Sequence, residues 1–186
     1  MNLNVKLFAD GADKDGMIEM YTNPLISGFT TNPTLMKVAG ITDYKLFAKD
    51  ILNYIKDKPI SFEVFSDEFN DMEKQALKIA SWASNVNVKI PITNTKSESS
   101  VKLIDKLSEQ GVSVNVTAMM TIDQVKSVLP GLSKGPNGYV SVFAGRIADA
   151  GKDPLPIMNE IVQILKDFPN IELIWASPRE LYNVVQ

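Results

Sequence analysis

Seven short apolar runs recur along the chain at steady intervals. They are Leu3–Ala9, Ile26–Phe29, Ile60–Phe65, Val86–Ile92, Val112–Thr117, Tyr139–Ala144 and Ile171–Trp175. In four of them apolar and other residues alternate. Val86, Val88 and Ile90 alternate with Asn87 and Lys89, and Phe62 and Val64 with Ser61 and Glu63. Val112, Val114 and Val116 alternate with Ser113, Asn115 and Thr117, and Val140 and Val142 with Ser141 and Phe143. Side chains on a strand point to opposite faces with period two, so each of these strands has one apolar face and one different face. Between most of the runs lies a stripe of period 3.6, the mark of a helix with one buried side. Residues 67–83 carry Met72, Ala76, Ile79, Ala80 and Ala83 on one stripe. Residues 97–110 carry Val101, Ile104 and Leu107, with Gly111 as a C-terminal cap. Residues 154–168 carry Leu155, Met158, Ile161, Val162 and Leu165, and Pro154 suits a first helical turn. Residues 35–55 also read as helical, with a break near Gly40, and residues 134–138 as a loop.

Strand followed by helix, repeated, predicts an α/β fold of parallel strands with right-handed crossovers. A doubly wound open sheet buries both strand faces under helices and favours uniformly apolar strands. The alternation here favours a (β/α)8 TIM barrel, with helices over the apolar phase and the polar phase facing a shared interior. The expectation is one barrel domain over residues 1–186. It is truncated after the seventh strand and lacks an eighth strand and terminal helices, since only seven strand runs are visible.

Composition narrows the chemistry. The 186 residues are 45% hydrophobic and 22% charged, as in an ordinary soluble globular protein. A net charge of −3 gives no reason to expect nucleic acid or an anionic membrane surface as partner. There is no cysteine and no histidine. Thiolate catalysis, the serine-triad base and the commonest zinc ligands are thereby excluded, so acid–base work falls to Asp, Glu, Lys or Tyr. Neither a calcium-type loop nor a glycine-rich phosphate loop is present, so no metal and no nucleotide cofactor is expected. Residues 1–6 do not read as a signal peptide and no apolar run reaches the ~20 residues of a membrane span, which predicts a cytoplasmic protein.

Within this frame Lys89 stands out, a charge in the middle of a valine and isoleucine strand. It is either paired with a carboxylate inside the barrel or chemically used. An ammonium drawn from water loses hydration, which favours the neutral, nucleophilic amine. Other polar groups gather at the predicted C-terminal strand ends, where barrel enzymes work: Asp10, Asn32, Glu63, Asn115, Thr117, Ser141, Arg146, Ser177 and Arg179. Each has a plainer reading. Asp10 and Glu63 serve equally as partners of Lys89, Asn32 as a turn residue before Pro33, and the two arginines as solvated charges. Asp13, Asp15, Asp67 and Asp149 read as helix-end or surface carboxylates. Together, a buried lysine, two carboxylates and two arginines suggest an amine–carbonyl enzyme acting on phosphorylated sugars.

The motifs that carry these residues resemble those of the transaldolases, of the short type that includes fructose-6-phosphate aldolases. They are Phe8-Ala-Asp-Gly-Ala-Asp13, Gly28-Phe-Thr-Thr-Asn-Pro-Thr34, Ser61-Phe-Glu-Val64, Val88-Lys-Ile-Pro-Ile-Thr93, Asn115-Val-Thr117, Ser141-Val-Phe-Ala-Gly-Arg-Ile147 and Ala176-Ser-Pro-Arg179. The resemblance implies transfer of a dihydroxyacetone unit from a ketose phosphate to an aldose phosphate, in the pentose phosphate pathway, with no cofactor. It implies Lys89 as the Schiff-base nucleophile and Asp10 as the base for the C4 hydroxyl. Glu63 becomes the proton shuttle, through a water held with Thr117. Asn32 and Ser141 bind the three-carbon unit, and Arg146, Ser177 and Arg179 the phosphate. Glu63 and Phe143 follow the transaldolase pattern, where the aldolase branch resembles glutamine and tyrosine. Short members assemble as homo-oligomers through a C-terminal region that this chain lacks, so self-association is a weaker expectation. The alternatives are a fructose-6-phosphate aldolase and a truncated, non-catalytic sugar-phosphate-binding protein.

Overall fold

The structure is a computed structural model that describes residues 4–180 and 183. Among the described residues seven strands, all parallel, pair in chain order: β1 (Leu7–Asp10), β2 (Ile26–Thr30), β3 (Ile60–Glu63), β4 (Val86–Pro91), β5 (Val114–Met119), β6 (Gly138–Val142) and β7 (Ile171–Trp175). Helices connect them: α1 (Lys14–Thr22), α2 (Pro33–Val38), α3 (Tyr44–Tyr54), α4 (Phe69–Ala80), α5 (Val101–Glu109), α6 (Ile122–Leu132), α7 (Ala144–Asp149) and α8 (Leu155–Leu165). These are seven strands, with the helices between them, of a (β/α)8 barrel. The start of the first predicted strand at Leu3 lies outside the described residues.

The sheet is curled. Laid flat, β1 and β7 would stand about 29 Å apart, six strand spacings of ~4.8 Å. Yet Lys6, just before β1, reaches Glu172 on β7 at 2.7 Å, and the rings of Phe8 on β1 and Tyr139 on β6 meet edge to face at 5.7 Å. Phe8 lies over Gly28, where a Cβ would come within 2.4 Å of its ring. The polar phase lines the concave side. Asn115 Nδ2 donates to Ser61 Oγ (2.9 Å) and Ser141 Oγ donates to Asn115 Oδ1 (2.7 Å), a chain that links β3, β5 and β6. The apolar phase is the main core: Phe62, Val88, Ile90, Val114, Val116, Val140 and Val142 are all fully buried. Each such side chain contributes about 1.5–3 kcal/mol.

The predicted helix stripes are those that pack: Met72, Ala76 and Ile79 on α4, Ile104 and Leu107 on α5, Met158, Ile161 and Leu165 on α8. Val162 is an exception, 48% exposed. The break at Gly40 is a left-handed residue at φ 72° between α2 and α3. Helix α5 starts later than its sequence pattern suggests, at Val101 rather than residue 97. The Asn94 side chain accepts from the amides of Lys96 and Glu98 and turns residues 94–98 away from helix.

Candidate active site

Strand β4 carries Lys89 on its inner face, in register with Glu63 on β3 and Asn115 on β5. Lys89 is only 8% exposed. Its Nζ lies 3.4 Å from Glu63 Oε2 and donates to the Thr31 carbonyl at 3.0 Å. The structure shows the paired reading of Lys89, an amine beside a carboxylate at the inner face of the barrel. Burial holds the Glu63 carboxyl above its ordinary value. The Lys89 charge opposes that rise, and the Asp10 charge adds to it. Glu63 is thus a carboxyl poised to carry a proton.

Asp10 ends β1 in register with Thr30, whose hydroxyl donates to Asp10 Oδ1 at 2.7 Å. Asn32 caps α2, with Oδ1 accepting from the Leu35 amide at 2.9 Å and Pro33 in the first turn. That contact is its plainer reading, and it uses the oxygen, not the amide nitrogen. Thr117 is buried and in register with Pro91. Directly after it, Ala118 takes φ 61° within a register shift between β5 and β6, which bends the end of β5. Ser141, buried on β6, ends the polar chain through Asn115. Phe143 follows β6, is half-buried, and donates its amide to the Met119 carbonyl.

The predicted phosphate residues form a second cluster where β6 runs into α7 and β7 ends. Arg179 grips Asp149 with two bonds, Nε to Oδ1 at 2.8 Å and Nη2 to Oδ2 at 2.5 Å. Its Nη1 donates to the Ser177 carbonyl at 3.0 Å. Arg146 Nη1 lies 3.9 Å from the same Asp149 carboxylate. The Arg179 pair holds Asp149 below the usual carboxylate range. Asp149, read from sequence as a helix-end or surface charge, is a helix end that also organises both arginines. Gly145 makes this possible, because a Cβ there would lie 1.7 Å from the Ser177 carbonyl oxygen.

Sequence reasoning also missed Tyr44. Its hydroxyl donates to the Glu63 carbonyl at 2.9 Å, and its ring packs edge on against Phe62, Phe65 and Trp82. Burial, with the Glu63 charge, pushes its phenol well up, so it stays protonated. Among the described residues no three metal-ligating side chains converge, and no helix is long and apolar enough to cross a membrane.

Residues 7–186 match the family described as Transaldolase/Fructose-6-phosphate aldolase. The chain belongs to that family. A probable transaldolase of Dehalococcoides mccartyi is 37% identical over 183 residues, covering 98% of this chain and 81% of the relative. One from Caldicellulosiruptor saccharolyticus is 35% identical over 184 residues, with 98% and 80% covered. One from Methanococcus maripaludis is 32% identical over 183 residues, with the same shares covered. A dihydrodipicolinate synthase from Rhodopseudomonas palustris superposes with a TM-score of 0.58 at 15% identity, covering 89% of this chain and 61% of that one. That likeness concerns the fold alone.

Proposed function

We propose that the chain is a transaldolase that moves a dihydroxyacetone unit from a ketose phosphate to an aldose phosphate through a Schiff base on Lys89. The observation that carries this reading is the buried Lys89 amine, 3.4 Å from the Glu63 carboxyl, which burial raises above its ordinary value. The Lys89 amine adds to the ketose C2 carbonyl. Glu63 protonates the departing carbinolamine hydroxyl, which leaves as water and yields an iminium. Asp10 takes the C4 hydroxyl proton, the C3–C4 electron pair flows into the iminium, and an aldose phosphate departs. The enamine on Lys89 then attacks the aldehyde of the acceptor, Asp10 returns its proton, and water releases the product and the free lysine.

Asn32 and Ser141 hold the three-carbon unit, Thr117 positions the water used with Glu63, and Phe143 closes the wall above β6. Arg146, Ser177 and Arg179 hold the phosphate. A residue at 143 without a hydroxyl, together with glutamate rather than glutamine at 63, favours transfer over release of free dihydroxyacetone. The reading implies a place in the pentose phosphate pathway and a cytoplasmic enzyme.

The test is borohydride reduction of the protein with fructose 6-phosphate as the only sugar. A three-carbon adduct should appear on the peptide that contains Lys89, and Lys89→Met should abolish it. Erythrose 4-phosphate added before reduction should discharge the adduct and form sedoheptulose 7-phosphate. Folded protein that yields no adduct refutes the proposal. Free dihydroxyacetone formed without an acceptor would make the chain an aldolase instead.

A further inference from the structure

The Arg179 side chain does not wait free for a phosphate. Three of its five N–H donors are already used, two on Asp149 and one on the Ser177 carbonyl. Arginine is long and rotamer-rich, and an exposed one pays entropy whenever it is fixed by a ligand. Here it is fixed beforehand, by a fork-to-fork pair with two parallel bonds. The anchor is built from the fold. Asp149 is the last residue of α7, Gly145 lies one turn earlier on the same helix, and Arg146 projects from between them. The missing Cβ of Gly145 admits the Ser177 carbonyl, which takes the third bond, and Ser177 itself stands at φ 57°.

We propose that Asp149 is the positioning residue of the phosphate site: it orients Arg179 toward the substrate phosphate and sets the preference for phosphorylated sugars. The proposal rests on the reading of Arg146 and Arg179 as phosphate ligands. Asp149 acts through Arg179 and does not itself meet the substrate. A carboxylate near a phosphate also repels it, so the two conceivable effects of Asp149 have opposite signs. The bidentate geometry decides for orientation, because misplacing a ligand by about 1 Å can cost up to ~100-fold.

The experiment compares kcat/KM for fructose 6-phosphate and for unphosphorylated fructose as donors, together with inhibition by inorganic phosphate. In Asp149→Ala the ratio of the two kcat/KM values should fall about tenfold. The loss should lie in KM for the phosphorylated donor, and the inhibition constant of phosphate should rise to a similar degree. Asp149→Asn should recover part of the loss, since its amide oxygen accepts one of the two bonds. Arg179→Ala should lower the same ratio at least as far. If Arg179→Ala lowers the ratio but Asp149→Ala leaves it unchanged or raises it, the positioning role is wrong and the phosphate site stands. Equal losses with both donors in Asp149→Ala would make it a scaffold residue and also overturn the proposal. An unchanged ratio in Arg179→Ala would remove the phosphate reading itself, and the role of Asp149 with it.

Discussion

The hydrogen-bond chain from Ser61 through Asn115 to Ser141 is the sharpest test of a dry, ordered barrel interior. Asn115 is 0% exposed, and its two neighbours are 1% and 3% exposed. Asn115→Ala removes two hydrogen bonds, each worth a net ~1 kcal/mol, and leaves the Ser141 hydroxyl with a lost acceptor. An orphaned buried donor adds roughly 1–3 kcal/mol, so the substitution should destabilise by about 3–5 kcal/mol in all. For a chain of this size ~1 kcal/mol moves Tm by about 2–4 °C, so Tm should fall by roughly 6–20 °C. Ser141→Ala removes only one bond. In the double variant no donor is orphaned, so its loss should be smaller than the sum of the two single losses by about 1–2 kcal/mol. Urea unfolding followed by circular dichroism, on all four proteins at pH 7, measures this coupling. A coupling below ~0.5 kcal/mol would mean that water replaces the amide, and would refute the dry network.

Glu63→Gln should stabilise the fold increasingly as pH rises. A buried carboxyl raised above its ordinary value binds more protons folded than unfolded between the two values. Its contribution is complete below about pH 4.3, the unfolded value, and is lost as pH climbs through the folded one, whereas an amide does not titrate. Urea midpoints at pH 4 and 7.5 should therefore diverge in favour of the variant, and a constant difference contradicts the raised carboxyl. Gly145→Ala should destabilise by about 3 kcal/mol or more, because its Cβ meets backbone at 1.7 Å. Gly28→Ala should cost less, about 1–2 kcal/mol, since it meets the Phe8 ring, which can tilt. Thermal unfolding that places Gly28→Ala below Gly145→Ala would show that the β1 ring is the more rigid neighbour.

The inner wall was legible because alternation in a strand is a statement about faces. Ser61, Lys89, Asn115 and Ser141 all fall in the polar phase, and the structure brings the serines and Asn115 into one chain. Three helices were not legible. Helix α6 contains Pro130 and Gly131, which obscure its stripe, although Thr121 and Gln124 form a capping box that could have revealed it. Helix α1 buries only Met17, so its periodicity is faint, and its one clear signal is the cap from Asp13 to the Gly16 amide. Helix α7 has six residues and no side-chain cap, and its place is set by β7 and the turn after it. Asp149 is the helix-end surface carboxylate expected, and only its pairing with Arg179 was not legible. Its partner lies 30 residues away, beyond any local pattern.

Backbone strain separates the two ends of this barrel. Left-handed glycines sit just beyond helices, with Gly40 after α2, Gly111 after α5 and Gly151 after α7, where that conformation is relaxed. Among the described residues, those left-handed and not glycine are Ser97, Ala118 and Ser177, and each lies at or beyond the C-terminal end of β4, β5 or β7. Strain of this kind persists where surrounding structure fixes it, and it gathers at functional faces. Ala118 is the cleanest case, since its methyl makes no polar contact to compensate. Left-handed backbone costs a residue with a Cβ about 1–2 kcal/mol. Glycine in its place loses ~0.5–1 kcal/mol through unfolded-state entropy. Ala118→Gly should therefore stabilise slightly, by about 0.5 kcal/mol in urea unfolding, and a loss of ~1 kcal/mol or more would show that the bulge is unstrained. Turnover should move the opposite way. A glycine bulge leaves the end of β5 more conformations, so Thr117 is held less firmly beside β4, and kcat should fall even as the fold gains. A variant that gains in both would remove the reason for alanine at this bend.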